Sequence, residues 1–187
     1  MQVISSLVAL QADELQDRAM RDVLQDVSHR VRSMAMVHEK LYQSSDLAQV
    51  DFADYAESLL TYLWRAHGAG SAGVRLTTDM EPVPMPVNVA VPCGLILNEL
   101  VGNALKHAFC GRSEGRVTVS LHNDASDKVC LSVTDDGGGL PLQVDWRQAK
   151  TLGLRLVQML SHQLHGTVEV SRNEGTRFKV IFEKPEP

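Results

Sequence analysis

Between Asn98 and His107 the chain reads Asn98-Glu99-Leu100-Val101-Gly102-Asn103-Ala104-Leu105-Lys106-His107, which places a carboxylate, a carboxamide, a cation and an imidazole in one short segment. On a helix, residues four apart lie above one another, so Glu99 and Asn103 share a face that Lys106 and His107 continue. Leu97, Leu100, Val101, Ala104 and Leu105 turn elsewhere to pack. A cation beside an amide oxygen and a carboxylate suits a metal-bound polyphosphate, and that is the chemistry this face is expected to serve.

Three further segments could complete such a site. Asp135-Asp136-Gly137-Gly138-Gly139-Leu140-Pro141 follows a predicted strand, and its glycines allow a tight turn and a close backbone approach to a flat ligand, with Asp135 facing that ligand. On turn chemistry alone it reads as an ordinary turn. Thr151-Leu152-Gly153-Leu154 opens a predicted helix, where free N–H groups and the helix dipole make a seat for phosphate. Gly175-Thr176 starts the last strand, where a hydroxyl could reach a base or a phosphate. Residues 142–150 have no clear periodicity and read either as a lid or as a plain surface loop.

The elements that must position these segments can be read from the hydrophobic periodicity. The first 42 residues divide into a short stripe, Val3, Leu7 and Leu10, and a longer helix capped by Asp17, with Leu24, Val27, Val31, Met34 and Leu41 on a three-four spacing and His38 in the remaining seam position. Such a helical hairpin cannot bury its own seam, so the rest of the chain or a second copy must cover it, and dimerisation through a four-helix bundle is the simplest solution. Asp51 is expected to cap a helix running to about residue 67, followed by a strand over residues 74–78 and a proline-rich connection through Pro82, Pro84 and Pro86. A helix over residues 87–109, a hairpin of strands 116–121 and 129–134, a helix over 152–164 and strands 167–171 and 177–183 complete the chain. This order predicts an α+β fold: an N-terminal hairpin in residues 1–48, then an α/β sandwich in residues 49–187 with helices on one face of a mixed sheet.

Composition narrows the function. A net charge of −5 in 187 residues, without a basic stripe, argues against sequence-independent nucleic-acid binding. Cys93, Cys110 and Cys130 have no paired spacing, which fits a reducing compartment and buried thiols. The longest apolar run, residues 87–97, is cut by Asn88 and Pro92, and the first residues do not read as a signal peptide, so the chain is expected to be cytoplasmic without a membrane span.

In this order, NELVGNALKHAF, DDGGGLP, TLGLRLV and NEGTRF resemble the N box, the two glycine boxes and the closing Gly-Thr element of the ATP-binding domain shared by sensor histidine kinases, type II topoisomerases, heat-shock chaperones and mismatch-repair ATPases. The resemblance implies that Asp135 accepts a hydrogen bond from the adenine amino group while Gly137 and Gly139 admit the base. It further implies that Asn103 holds Mg²⁺ against the phosphates of ATP, that Lys106 and His107 lie near them, and that Leu152, Gly153, Leu154 and Thr176 belong to the ATP-binding wall. Glu99 would occupy the place of the carboxylate that orients the attacking nucleophile. The segments QVISSL and RVRSMAMVHEKLY resemble the dimerisation and phosphoacceptor hairpin of the histidine-kinase subfamily whose acceptor motif is His-Arg-x-x-Asn.

The family thereby implies the catalytic core of a two-component sensor histidine kinase, dimeric through its hairpin, passing the γ-phosphoryl group of ATP to a histidine and on to a response-regulator receiver domain. The acceptor position falls upstream of Gln2, so the histidine itself is expected outside this chain, which alone would not autophosphorylate. Two alternatives stand beside this one: an ATP-binding and dimerisation module without autokinase activity, and an anti-sigma-type serine kinase, although that class lacks such a hairpin. Ser28-His29-Arg30 lacks the following Asn of an acceptor motif, and His29 reads as a solvated helix histidine. Met20, Met34, Met36 and Met159 read as core or interface filler, and the remaining histidines have no ligand spacing for zinc.

Overall fold

The computed structural model describes residues 17–43, 49–67, 73–124, 126–141, 143–149 and 151–185. The expected first helix of the hairpin lies outside these residues. The second helix of the hairpin is α1, Arg18–Gln43. Asp17 begins it as expected, its carboxylate accepting from the Met20 N–H at 3.5 Å. Helix α2, Phe52–Ala66, starts at Asp51, whose side chain accepts from the Ala53 N–H and so satisfies one of the orphan donors of the first turn.

Strands β2 (Val74–Met80), β4 (Gly115–Asn123), β5 (Lys128–Asp135), β6 (Thr167–Ser171) and β7 (Thr176–Glu183) form one sheet in the order β2-β4-β5-β7-β6. The β2–β4 pair is parallel and the other pairs are antiparallel, the mixed sheet that the sequence predicts. Strict alternation along β4, β5 and β7 turns Val117, Val119, Leu121, Val129, Leu131, Val133, Phe178, Val180 and Phe182 to one face. Helices α2, α3 (Val87–Asn103) and α4 (Leu152–Gln163) cover that face, and Leu59, Leu63, Ile96, Leu97, Val101, Val157 and Leu160 complete the core.

One short element is absent from the sequence expectation. The proline-rich connection contains a strand, β3 (Pro84–Pro86), that pairs antiparallel with β1 (Gln49–Asp51), joining Val50 to Met85. Both of those side chains are buried, so the alternation of proline with apolar residues marks an edge pairing rather than a mere extended link.

Helix α3 is buried almost all round. The continuous stretch Val87–Ala108 is long and apolar enough to cross a membrane by length and composition, despite Asn88 and Pro92, but most of it is enclosed by the sheet and the other helices. Burial on every side is what a central helix of a three-layer packing requires. Its Gly94 is a notch: a Cβ there would stand 2.0 Å from the Tyr55 hydroxyl. Through that notch Tyr55, fully buried on α2, reaches α1, where its hydroxyl lies 2.9 Å from Ser33 Oγ and donates to the Ser33 carbonyl at 3.1 Å. Burial pushes the phenol well above its ordinary pKa, which keeps it a neutral donor.

The face of α1 that docks on the sandwich borders the predicted seam and shares with it only Met34 and Leu41, which pack at its margin. Asp26, Arg30, Ser33 and Val37, spaced four, three and four apart, meet α2, α3 and the turn after α3. Leu24, Val27, Val31, Met34 and Leu41 remain only partly covered, Met20 and Val23 are 52% and 54% exposed, and His38 is exposed rather than packed. The seam lies beside the docking face, so one helix carries both. His29 is half-buried rather than fully solvated: its ring meets Tyr62 edge-on at 5.8 Å and lies 5.2 Å from His67. Burial, and then the neighbouring His67, lower the His29 pKa to about 4. Of the thiols, Cys93 is buried, Cys110 is exposed and Cys130 is intermediate. Met159, like Met20, is more than half exposed and fills no core.

Candidate functional site

The helix that bears Glu99 and Asn103 does not continue regularly through Lys106 and His107. After Asn103 the backbone widens into a π turn, Ala104–Ala108, so the simple four-residue spacing that aligns Glu99 with Asn103 no longer holds beyond it. All four side chains still border one cavity of about 760 Å³, within the range of a nucleotide-sized pocket. The π turn also presents the Ala108 carbonyl to the Gly138 N–H at 2.8 Å, joining the N box directly to the first glycine turn.

That junction explains Gly137 differently from the sequence. A Cβ on Gly137 would stand 2.3 Å from the Ala108 carbonyl oxygen, so the residue is small to let two main-chain segments touch, and it is not on the cavity wall. Gly139 is on the wall, with a φ of 77° that favours glycine. Gly175, at φ 120°, presses against the Asp135 carbonyl, where a Cβ would come within 1.9 Å.

Asp135 ends β5 directly opposite Thr176 of β7, and both are buried at the cavity. One carboxylate oxygen, Oδ1, accepts from the Gly137 N–H at 3.0 Å and the Thr176 N–H at 3.3 Å. Burial raises the Asp135 pKa, and those hydrogen bonds oppose the rise. The Thr176 side chain also bonds this carboxylate, so sheet and turn together hold Asp135 with its acceptor group at the cavity.

At the other end Thr151, Leu152, Gly153 and Leu154 line the wall at the start of α4. Thr151 makes no side-chain cap, so the first N–H groups of the helix are available to an anion. A Cβ on Gly153 would stand 2.6 Å from Glu99 Oε2 and 3.7 Å from Asn103 Nδ2, which places the second glycine segment against the N box. Leu152 is 56% exposed and Leu154 is buried, so only the latter anchors the turn in the core.

Residues 143–149 have structure of their own. Trp146 of the 3₁₀ turn Trp146–Gln148 is buried, meets Phe178 edge-on at 6.2 Å and carries the Arg147 guanidinium over its ring. Arg172 donates to the carbonyls of Pro141 and Val144 at 3.2 and 2.7 Å, tying this loop to the end of β6.

Three wall residues that the sequence does not single out come from α1: Val23 and the charged pair Asp26 and Arg30. Arg30 grips Glu99 through Nε–Oε1 at 2.7 Å and Nη2–Oε2 at 3.0 Å, and Asp26 pairs with Lys106. The bond to Glu99 pushes the Arg30 pKa further up. Asn98 Nδ2 also donates to Glu99 Oε1, at 3.1 Å. The opposite charges of Asp26 and Arg30, one helical turn apart on the docking face, are the only sequence signal that could have pointed to them.

An α/β sandwich with a cavity between an N-box-bearing helix and two glycine turns defines the class of sandwich ATPases. The chain belongs to the histidine kinase-, DNA gyrase B- and HSP90-like ATPase family, whose model matches residues 88–186, and a model described as histidine kinase matches residues 1–67. It is 32% identical over 152 residues to blue-light-activated histidine kinase 2 of Erythrobacter litoralis, covering 78% of this chain and 43% of that protein. It is 30% identical over 180 residues to the sensor histidine kinase PdtaS of Mycobacterium tuberculosis, covering 94% of this chain and 35% of that protein. The chain therefore spans less than half the length of these curated relatives. The histidine kinase domain of the Erythrobacter litoralis EL346 blue-light activated histidine kinase superposes with a TM-score of 0.80 at 21% identity, over 98% of this chain and 96% of that one, a likeness of fold.

Proposed function

We propose that this chain is the ATP-binding catalytic core of a two-component sensor histidine kinase, with residues 1–48 as a dimerising hairpin and residues 49–187 as the catalytic domain. The observation that carries the reading is the cavity with a buried, hydrogen-bonded Asp135 carboxylate at one end and Asn103, Lys106, His107 and the open start of α4 at the other. Adenine would donate its amino hydrogen to the Asp135 carboxylate, with Thr176 and Gly139 beside the ring. The phosphates would meet Lys106, His107 and the N–H groups of Leu152, Gly153 and Leu154.

The donor set fits Mg²⁺ carried in on the nucleotide. Magnesium keeps most of its waters and takes phosphate oxygens with one or two protein ligands, and Asn103 offers one amide oxygen. When bound, the ion would neutralise phosphate charge, and the chain's own residues would position the rest. Lys106 would balance charge on the γ-phosphate, and Glu99 would orient the imidazole nitrogen that attacks it. The new N–P bond forms as the bond to the β–γ bridging oxygen breaks, ADP leaves, and the phosphoryl group passes to an aspartate of a response-regulator receiver domain in the cytoplasm.

The test is Mg-ATP calorimetry on the wild-type chain and on Asn103→Asp. The substitution puts a fixed negative charge where phosphate must approach and is expected to abolish binding while the fold persists. Unchanged affinity would overturn the site assignment.

A further inference from the structure

Two wall residues of the cavity, Asp26 and Arg30, belong to α1 rather than to the sandwich. They form two rungs of opposite order across the helix interface: Arg30 on Glu99, and Asp26 on Lys106. The rungs differ in their access to water. Arg30 and Glu99 are 14% and 7% exposed, and their pairing is two-pronged, whereas Lys106 and Asp26 are 35% and 36% exposed and joined by one contact.

Given the nucleotide reading of the cavity, on which this inference rests, the difference bears directly on the polyphosphate. A buried, unpaired carboxylate at Glu99 would repel the phosphates, and Arg30 cancels that charge where it is least screened. Lys106, by contrast, is already engaged, and Asp26 competes with phosphate for its ammonium. An exposed pair of this kind contributes little to stability and exchanges readily.

We propose that Arg30 and Asp26 are positioning residues through which α1 sets nucleotide affinity in opposite senses. Arg30 raises it by neutralising and orienting Glu99; Asp26 lowers it by holding Lys106 away from phosphate. By linkage, a bound nucleotide releases the Asp26 rung and leaves the Arg30 rung in place, so α1 becomes less tightly held at one of its two polar contacts. The exchange needs no new group, because the ammonium only changes anionic partner.

Competitive titration of a fluorescent ATP analogue with Mg-ATP separates this from a merely structural role. If both rungs serve only to dock α1, Arg30→Ala and Asp26→Asn must shift affinity in the same direction. The proposal requires opposite directions: about tenfold weaker binding for Arg30→Ala and about threefold tighter binding for Asp26→Asn. It also requires that Glu99→Gln suppress the Arg30→Ala defect, since removing the carboxylate charge removes the need for its partner. Circular dichroism checks the fold of each variant. Should Arg30→Ala fail to fold, Asp26→Asn decides alone, and unchanged or weaker binding there overturns the proposal. A wild-type chain that binds no Mg-ATP would overturn the nucleotide reading instead, whereas a binding wild type whose variants shift together overturns only this inference.

Discussion

The two ends of the cavity are built from different materials. At the Asp135 end the wall is main chain: strands β5 and β7 are paired at Asp135 and Thr176, and Gly137 and Gly175 let neighbouring backbone come within contact. At the Lys106 end the wall joins the open start of α4 to ionisable side chains, carried on a π turn and on the face where α1 meets α3. The first end is fixed by hydrogen-bonded sheet and presents one fixed acceptor, Asp135. The second depends on charges that can change partners, and it lies at a contact between helices rather than inside the sandwich.

If that contrast holds, the largest effect belongs to the main-chain end. Gly175→Ala must accommodate a Cβ against the Asp135 carbonyl at a φ of 120°, and is expected to cost ~3 kcal/mol or more, read as a lowered midpoint in thermal or urea unfolding. Next comes Asp135→Asn, which keeps an oxygen for the Gly137 and Thr176 N–H groups. It should leave stability nearly unchanged and weaken ATP binding on the order of tenfold or more, because the amide presents a donor where an acceptor is needed.

Salt sharpens the comparison. Lys106→Ala should weaken Mg-ATP binding strongly at low ionic strength and much less near 1 M salt, where the Debye length is about 3 Å. The loss from Asp135→Asn should be nearly the same at both. Equal salt sensitivity at the two ends would break the distinction.

A smaller effect concerns the seat of α1. His29 and His67 face each other across it, with Tyr62, Asp26, Lys106 and Arg30 nearby, and burial lowers both imidazole pKa values. Since the docked state favours the neutral ring, docking is at full strength above about pH 6.5 and weakens as pH falls toward the His29 value of about 4. Amide exchange along residues 18–43 should accelerate over that window, and His29→Gln should flatten the response. The smallest effect is expected from Lys40→Ala, which removes a partly exposed pair with Asp54 outside the cavity and should change stability by less than about 1 kcal/mol.

Much of the architecture was legible because it rests on local rules. The Asp51 cap, the alternating strands of the β4–β5 hairpin and the glycine-bounded helices each follow from a few adjacent residues. The cavity residues Asn103, Asp135, Gly153 and Thr176 could be assembled from four motifs because those motifs recur in a fixed order. What was not legible depends on distant partners. Nothing in the Pro84–Pro86 segment states that Gln49–Asp51 lies beside it. Nothing near Glu99 announces Arg30, 69 residues away. Apolar periodicity located a seam on α1, but the sandwich touches it only through Met34 and Leu41 and takes mainly the neighbouring stripe through Ser33 and Val37, where a small polar residue meets the Tyr55 hydroxyl. The close approach of Gly137 to the Ala108 carbonyl was not legible for the same reason.

The π turn at Ala104–Ala108 has a consequence for how the two ends communicate. A regular helix would stop transmitting at its last hydrogen bond, but this one ends by handing a carbonyl to the first glycine turn. The main chain from Asn103 to Ala108 therefore works as a strut between the position proposed for the metal and the turn that follows Asp135. Any axial slip of α3 would be felt at both ends together, so the positions proposed for base and phosphates are joined by one continuous piece of backbone rather than set on two independent jaws.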